Sequence, residues 1–179
     1  MSVLQEPITH RLRENISKGE TAPQSKSLRA EHGLGILIFL VAALFFVING
    51  VAPTIFDDNE GLYAGAVKEM TQRHDWLLPT TNGLPRIQKP PLVYWLTLVS
   101  TSTFGMNEWA IRLPNAIFTA LWVYGTYLLG WRLRGQRYGA TAAIILASMV
   151  GCYIFTHLVQ PEPFLAAFIS LTFFCFLSA

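Results

Sequence analysis

The chain has 179 residues, of which 52% are hydrophobic and only 13% carry a charge, and its formal net charge is +2. A soluble domain usually carries about 25% charged residues, so this composition favours a membrane protein over an ordinary soluble one. No basic cluster with interleaved aromatic residues occurs in the sequence, so we predict no nucleic-acid partner.

A polar tail opens the chain, and a long apolar run follows it. Residues 1–32 contain few large hydrophobic residues, which is typical of a disordered or loosely helical tail. The 24 residues of the range 33–56 carry no charge, and about 20 apolar residues are enough to cross a bilayer. The run is too long for a secretory signal peptide, and no small-residue cleavage site follows it. We therefore predict a first membrane span over 33–56.

A segment of mixed character, 57–109, follows the first span. Within it, residues 60–74 have helical spacing, with Leu62, Ala66 and Met70 on the apolar face. Because the pattern is short and amphipathic, we predict a helix that lies at the membrane interface.

Turn signals and a second apolar stretch complete this segment. Asn82-Gly83 and the prolines near it predict a turn. Residues 90–105 are apolar but only 16 in number, which favours a second interfacial helix over a short true span.

Three further apolar runs predict spans over about 110–131, 139–159 and 163–179. The last run reaches the end of the sequence without a cap or a flanking charge, so we expect the chain to be a fragment of a longer protein. The predicted fold class is an all-α, polytopic membrane protein with interfacial helices in its first outer loop.

The distribution of charge predicts the orientation of these spans. The tail 1–32 has five Lys/Arg residues and the loop 132–138 has three, which places both on the cytoplasmic side. The segment 57–109 has four Lys/Arg and six acidic residues, so we predict that it is extracytoplasmic.

Three acidic residues at the outer end of the first span are candidates for catalysis. Asp57, Asp58 and Glu60 lie within four residues, so they repel one another unless a function or a counter-charge holds them together. A carboxylate can act as general base on an acceptor hydroxyl. The alternative is a solvated cap, in which Glu60 stabilises the start of the next helix.

Three more charged residues are predicted on the same side of the membrane. Lys89 precedes two prolines, Arg112 lies at the start of the second span, and Glu162 stands between two prolines after the third. The cations suit a lipid phosphate. A snorkelling lysine and an arginine paired with an acid of the loop are the structural alternatives. Together, the charges fit a substrate that is both a lipid and a phosphate.

Five short motifs occur in order along the chain and carry a family resemblance. They are Asp58-Asn59-Glu60-Gly61-Leu62-Tyr63-Ala64, Asp75-Trp76-Leu77-Leu78-Pro79, Lys89-Pro90-Pro91-Leu92, Arg112-Leu113-Pro114 and Glu162-Pro163-Phe164. With them, the sequence from about residue 35 onward resembles the bacterial polytopic glycosyltransferases of the GT-C type. This family includes the lipid A aminoarabinose transferase and relatives of the dolichyl-phosphate-mannose protein mannosyltransferases.

The resemblance implies an enzyme of the bacterial inner membrane. It implies transfer of a sugar from a polyprenyl-phosphate carrier to a hydroxyl of a lipid, glycan or protein acceptor, with inversion at the anomeric carbon. Asp58 or Glu60 would be the catalytic base, and Lys89 and Arg112 would bind the lipid phosphate. The supporting positions would be Asp57, Asn59, Tyr63 and Glu162.

Three positions depart from the family's pattern. Asn59 occupies the place of the leading aspartate, and an amide cannot act as a base, so Asp58 or Glu60 would take that role. Glu162 stands where the family usually has Asp. Gln88 replaces the glutamate that could bind a metal in some relatives, so we predict neither a metal nor another cofactor.

Two other classes of function remain open from the sequence. One is a non-catalytic membrane protein or truncated remnant that binds lipid phosphates. The other is a transporter, but that function favours acids inside the spans, whereas here the acids lie at their ends.

Overall fold

The computed structural model describes residues 25–50 and 58–179, with side chains over 33–50 and 60–179. The chain divides into two units, Met1–Gly33 and Leu34–Ala179. The described part of the first unit is helical. The second unit holds the remaining helices and one small β-hairpin.

The described residues form seven helices and two short strands, in the order ααββααααα. They are α1 (Ser25–Asn49), α2 (Asp58–Arg73), β1 (Thr80–Thr81), β2 (Leu84–Pro85), α3 (Pro91–Phe104), α4 (Glu108–Arg134), α5 (Gln136–Ala147), α6 (Val150–His157) and α7 (Glu162–Ser178).

The longest helix, α4, packs against α3, α5, α6 and α7. It begins at the cap residue Asn107, whose Oδ1 accepts a hydrogen bond of 2.9 Å from the backbone N–H of Ala110. It ends at Gly135, whose φ of 96° lies in the region that favours glycine. Gly139 of α5 then passes so close to α4 that an ideal Cβ there would lie 2.5 Å from the carbonyl oxygen of Tyr127. The sharp turn and the small residues allow α4 and α5 to lie in close contact.

A buried cluster of apolar residues joins α2 to α3. On α2 the buried stripe consists of Tyr63, Ala66, Val67 and Met70, which have helical spacing. The predicted stripe began instead with Leu62, whose side chain is 37% exposed. The difference arises because Tyr63, the residue after Leu62, packs against Tyr94 of α3 and so takes the place of Leu62 on the buried face.

The hairpin confirms the turn predicted at Asn82-Gly83. Both residues have positive φ, 53° and 75°, as a two-residue turn of type I′ requires. Thr81 pairs with Leu84 in the antiparallel register. The carboxylate of Glu69, on α2, accepts hydrogen bonds from the side chain of Thr80 and from the backbone N–H groups of Asn82 and Gly83. The turn is therefore fixed to α2.

The observed helices differ from the predicted spans in two places. Helix α1 ends at Asn49, so the predicted span 33–56 ends in residues outside those described, and α1 begins at Ser25, inside the predicted tail. The predicted span 139–159 is broken into α5 and α6, because Met149 is extended (ψ 137°) and interrupts the helical hydrogen bonding.

Within residues 25–50 and 58–179, no single helix has both the length and the hydropathy needed to cross a bilayer. Helices α5 and α6 meet that requirement as a pair that is bent by 57°.

Candidate active site

A buried ion pair joins the start of α2 to the start of α4. The Arg112 guanidinium donates from Nε to Oε1 of Glu60 at 2.6 Å and from Nη2 to Oε2 at 3.0 Å. Both side chains are 1% exposed. This fork-like geometry is the strongest form of carboxylate binding by arginine. The structure therefore supports the interpretation in which Arg112 pairs with an acid of the first loop.

The same guanidinium also binds the end of α1. Arg112 Nη1 donates to the carbonyl oxygen of Gly50 at 3.3 Å. One side chain thus contacts the residues on either side of the segment that carries Asp57 and Asp58. Asp57 lies outside the described residues. Asp58 is the first residue of α2 and Asn59 is the second, and the structure does not describe the side chain of either.

Glu162 lines a cleft whose lining also includes Pro90, the residue that follows Lys89. Lys89 is exposed and directly precedes Pro90, the cap of α3. Glu162 is exposed in the first turn of α7, where a carboxylate complements the helix dipole. The cleft has a volume of about 290 Å³, and its lining is mostly apolar. It is lined by Pro90, Leu92, Val93, Pro161, Glu162, Phe164, Leu165 and Phe168.

Asn115 fixes the loop that leads to Glu162. Its Nδ2 donates to the carbonyl oxygens of Leu158 at 3.0 Å and Gln160 at 2.9 Å, and the residue is fully buried. The sequence analysis did not identify Asn115. The available signal was an amide in an apolar helix, three residues after Arg112 and therefore on the same helical face.

A second buried arginine lies beside two tyrosines. The Arg86 guanidinium carbon is 5.1 Å from the centre of the Tyr63 ring, and the Tyr63 and Tyr94 rings are 5.0 Å apart. Arg86 is 9% exposed, and the tyrosines are at most 2% exposed. Among the described residues, Arg86 Nε and the hydroxyls of Tyr63 and Tyr94 have no hydrogen-bond partner. Each such buried polar atom costs roughly 1–3 kcal/mol, so this cluster suits an added polar group.

Burial controls the ionisation of these tyrosines. It raises the pKa of Tyr63 to about 12, an effect that the positive charge of Arg86 opposes and that Tyr94 and Glu162 reinforce. Burial likewise raises the pKa of Tyr94, while Arg86 lowers it. Both phenols therefore keep their protons at neutral pH and can donate hydrogen bonds.

A metal site was not predicted, and the described residues contain no group of three or more His, Cys, Asp or Glu side chains that could hold a metal ion.

Comparison with known proteins places this arrangement in a family. Residues 88–179 match the family described as dolichyl-phosphate-mannose-protein mannosyltransferase. The chain belongs to this family. The match begins at Gln88, so it includes the motifs around Lys89, Arg112 and Glu162. The predicted family resemblance is thereby confirmed.

Individual relatives agree with this membership. The undecaprenyl phosphate-alpha-4-amino-4-deoxy-L-arabinose arabinosyl transferase of Serratia proteamaculans is 31% identical over 128 residues, which are 70% of this chain and 22% of that protein. The crystal structure of ArnT from Cupriavidus metallidurans bound to undecaprenyl phosphate matches 81% of this chain with a TM-score of 0.72 and 26% identity. The apo form matches 83% with a TM-score of 0.71.

These matches confirm the predicted all-α, GT-C type of fold. The chain spans about a quarter of the length of the relatives it matches, 22% of the Serratia protein and 27% of the undecaprenyl-phosphate-bound ArnT chain.

Proposed function

We propose that the protein transfers a sugar from a polyprenyl-phosphate carrier to an acceptor hydroxyl outside the cytoplasm. The observation that carries the proposal is the buried Glu60–Arg112 pair, because it fixes the start of the acidic motif against α4, and the family match includes the motifs around Arg112, Lys89 and Glu162. A relative of this fold was crystallised with undecaprenyl phosphate, which supports a lipid-phosphate donor.

The proposed location is the bacterial inner membrane, with several spans and a cytoplasmic N-terminus. The apolar faces of α1 and α7 support this, since many of their large hydrophobic side chains are exposed; examples are Leu44 (63%) and Phe176 (78%). The basic residues of the loop 132–138 support a cytoplasmic position for that loop.

The proposed reaction is a single displacement at the anomeric carbon. The bond from the acceptor oxygen to this carbon forms as the bond from the carbon to the phosphate oxygen breaks. A carboxylate takes the acceptor's proton, and the polyprenyl phosphate leaves with the electron pair. Inversion follows because the acceptor attacks from the face opposite the leaving group.

We assign the base to Asp58 and a positioning role to Glu60. Both oxygens of Glu60 accept hydrogen bonds from Arg112, so an acceptor hydroxyl would have to compete with the guanidinium for this carboxylate. Asp58 stands two residues earlier, at the first residue of α2. Arg112 then acts on the reaction through Glu60 and Gly50, and Lys89 is the ligand of the lipid phosphate.

The cleft beside Lys89 suits the lipid part of the donor. Its walls come from the first turns of α3 and α7, and its lining is mostly apolar. An isoprenoid placed there would keep its phosphate near the exposed ammonium group of Lys89. The ammonium group of Lys89 would then stabilise the negative charge that develops on the phosphate in the transition state.

This proposal predicts loss of transfer in two substitutions. In the full chain, reconstituted with lipid-linked sugar donors, we expect Asp58→Asn to lower the rate of sugar transfer by about 100-fold or more, since general-base catalysis contributes about 10²–10⁴-fold. We expect a loss of similar size in Lys89→Ala, since removing one group that stabilises transition-state charge costs about 10²–10³-fold. The measurement is release of polyprenyl phosphate by mass spectrometry.

A matched control is Lys68→Ala, an exposed lysine of α2 outside the cleft. It should transfer at the wild-type rate and express at the same level. Unchanged product formation in both Asp58→Asn and Lys89→Ala would overturn the assignment of the site.

A further inference from the structure

We propose that Arg86, Tyr63 and Tyr94 form an oxyanion site that binds the phosphate group of the polyprenyl carrier. This inference rests on the proposed function and adds to it a cation that neither the family match nor the motifs assign. It begins from the side chain of Arg86, which is nine-tenths buried and has an Nε without a partner among the described residues.

The hairpin explains why Arg86 is held in this place. Its backbone N–H donates to the carbonyl oxygen of Pro79 at 2.8 Å, so the residue after β2 folds back beside the residue before β1. Glu69 binds the turn of the same hairpin to α2. The guanidinium therefore comes to lie over the ring of Tyr63, which precedes Glu69 by slightly less than two turns of the same helix.

The chemistry of the three side chains selects an oxyanion. A guanidinium offers a planar fork of N–H donors and the two phenols each offer an O–H donor, so all three side chains can donate to one oxyanion. A buried cation without a carboxylate bonded to it is costly, and a phosphate oxygen is the natural partner for it. A neutral sugar hydroxyl would leave the charge of Arg86 unbalanced.

Arg86 also has the freedom that Arg112 lacks. Nε, Nη1 and Nη2 of Arg112 donate to Glu60 and Gly50, so a phosphate would have to displace these bonds. In contrast, the Arg86 guanidinium carbon lies 5.1 Å from the centre of the Tyr63 ring, and its Nε has no hydrogen-bond partner among the described residues. Arg86 stands three residues before Lys89, and the two cations bind one phosphate from the same loop.

The test measures binding rather than turnover. The full chain in lipid nanodiscs is titrated with undecaprenyl phosphate, with undecaprenol and with inorganic phosphate. We expect wild type to bind the phosphorylated lipid at least tenfold more tightly than undecaprenol. Arg86→Gln should weaken binding of undecaprenyl phosphate by about tenfold or more and leave binding of undecaprenol unchanged, as loss of a charge-assisted hydrogen bond implies. Arg86→Lys should recover part of the loss, and Arg137→Gln, a matched exposed arginine, should change nothing.

A second variant separates binding from folding. The double variant Tyr63→Phe with Tyr94→Phe keeps the ring packing and removes only the hydroxyl donors. We expect it to lower the affinity for undecaprenyl phosphate by several-fold. Millimolar inorganic phosphate can also compete with undecaprenyl phosphate for the site. If this competition occurs in wild type and disappears in Arg86→Gln, it supports an oxyanion site that accepts the free ion as well.

Three results would overturn the inference. The first is wild-type affinity for undecaprenyl phosphate in both Arg86→Gln and the double Phe variant, which would leave the proposed function intact. The second is an equal loss of affinity for undecaprenol and for undecaprenyl phosphate in Arg86→Gln, which would show that Arg86 acts only through packing. The third is a wild-type chain that does not distinguish the two lipids, which would overturn the proposed donor class as well.

Discussion

At the scale of single residues, the site depends on charges that are removed from water. Glu60 and Arg112 are both 1% exposed, and such a pair stabilises a protein only when each partner keeps its bonds. Two hydrogen bonds to the carboxylate and one to the carbonyl oxygen of Gly50 engage all three nitrogens of the guanidinium here. The pair therefore provides fixed geometry more than net stability.

This view predicts strong coupling between the two residues. Glu60→Gln leaves the Arg112 charge buried and should lower the free energy of unfolding by about 3 kcal/mol or more. The double change Glu60→Gln with Arg112→Met should cost less than the sum of the single changes, because it leaves no buried charge. Thermal unfolding of the four proteins in detergent measures the coupling. Additive costs would contradict it.

The sequence predicted this pair only as one of two interpretations, and it did not predict Arg86 or Asn115. A charged residue at the start of an apolar run is visible in the sequence as a cost that needs a partner. The position of Arg86 depends on the hairpin and on the contact of Glu69 with it. Such a placement is produced by tertiary contacts, which a pattern of residue types does not contain.

At the scale of secondary-structure elements, the hairpin in the predicted outer loop is held by side chains of α2 and by the segment before it. Glu69 receives three hydrogen bonds from it. The segment that leads to it is fixed by Asp75, which accepts from the backbone N–H groups of Leu77 and Leu78, and by Trp95 of α3, whose Nε1 donates to the Trp76 carbonyl oxygen at 2.7 Å. The residues of the motif from Asp75 to Pro79 therefore have a structural role, which is to hold the segment before the hairpin.

The hairpin should depend on pH through Glu69. The hydrogen bond from Thr80, together with those from Gly83 and Asn82, lowers the pKa of Glu69 from its ordinary value of 4.5. A depressed folded-state pKa stabilises the fold above the unfolded-state value, and this contribution is lost as pH falls through the folded-state value. We expect Glu69→Gln to lower the melting temperature near pH 7, and the difference from wild type to shrink below about pH 4.5. A difference that stays constant down to pH 3 would contradict this.

Helix positions followed from the sequence better than helix continuity did. Helical spacing of apolar residues located α2, because a buried face must repeat with the turn of the helix, and the apolar runs 90–105 and 110–131 located α3 and α4. The break at Met149 was not predicted, since the residues of 139–159 are mostly apolar and contain neither a charged residue nor a proline. Hydropathy measures how apolar a segment is, and it carries no information about where the backbone bends.

At the scale of the whole molecule, the orientation in the membrane remains a prediction from charge. Leu84, in the hairpin, is 71% exposed, and Leu133, near the end of α4, is 65% exposed. After replacement of Cys152 and Cys175, a single cysteine at either position can be labelled with a membrane-impermeant maleimide. Leu84→Cys should react in intact spheroplasts, and Leu133→Cys only in inverted vesicles. Labelling of both from the same side would contradict the proposed topology.

The Glu60–Arg112 contact also bears on when the site exists during synthesis. Its partners are 52 positions apart in the chain, and Asn115 contacts a carbonyl 45 positions further on. At about 5–20 residues per second, the ribosome needs roughly 3–10 s to add the residues between Glu60 and Arg112. Until then Glu60 lacks the guanidinium with which it is buried in the folded chain. Formation of the site therefore follows the docking of α4.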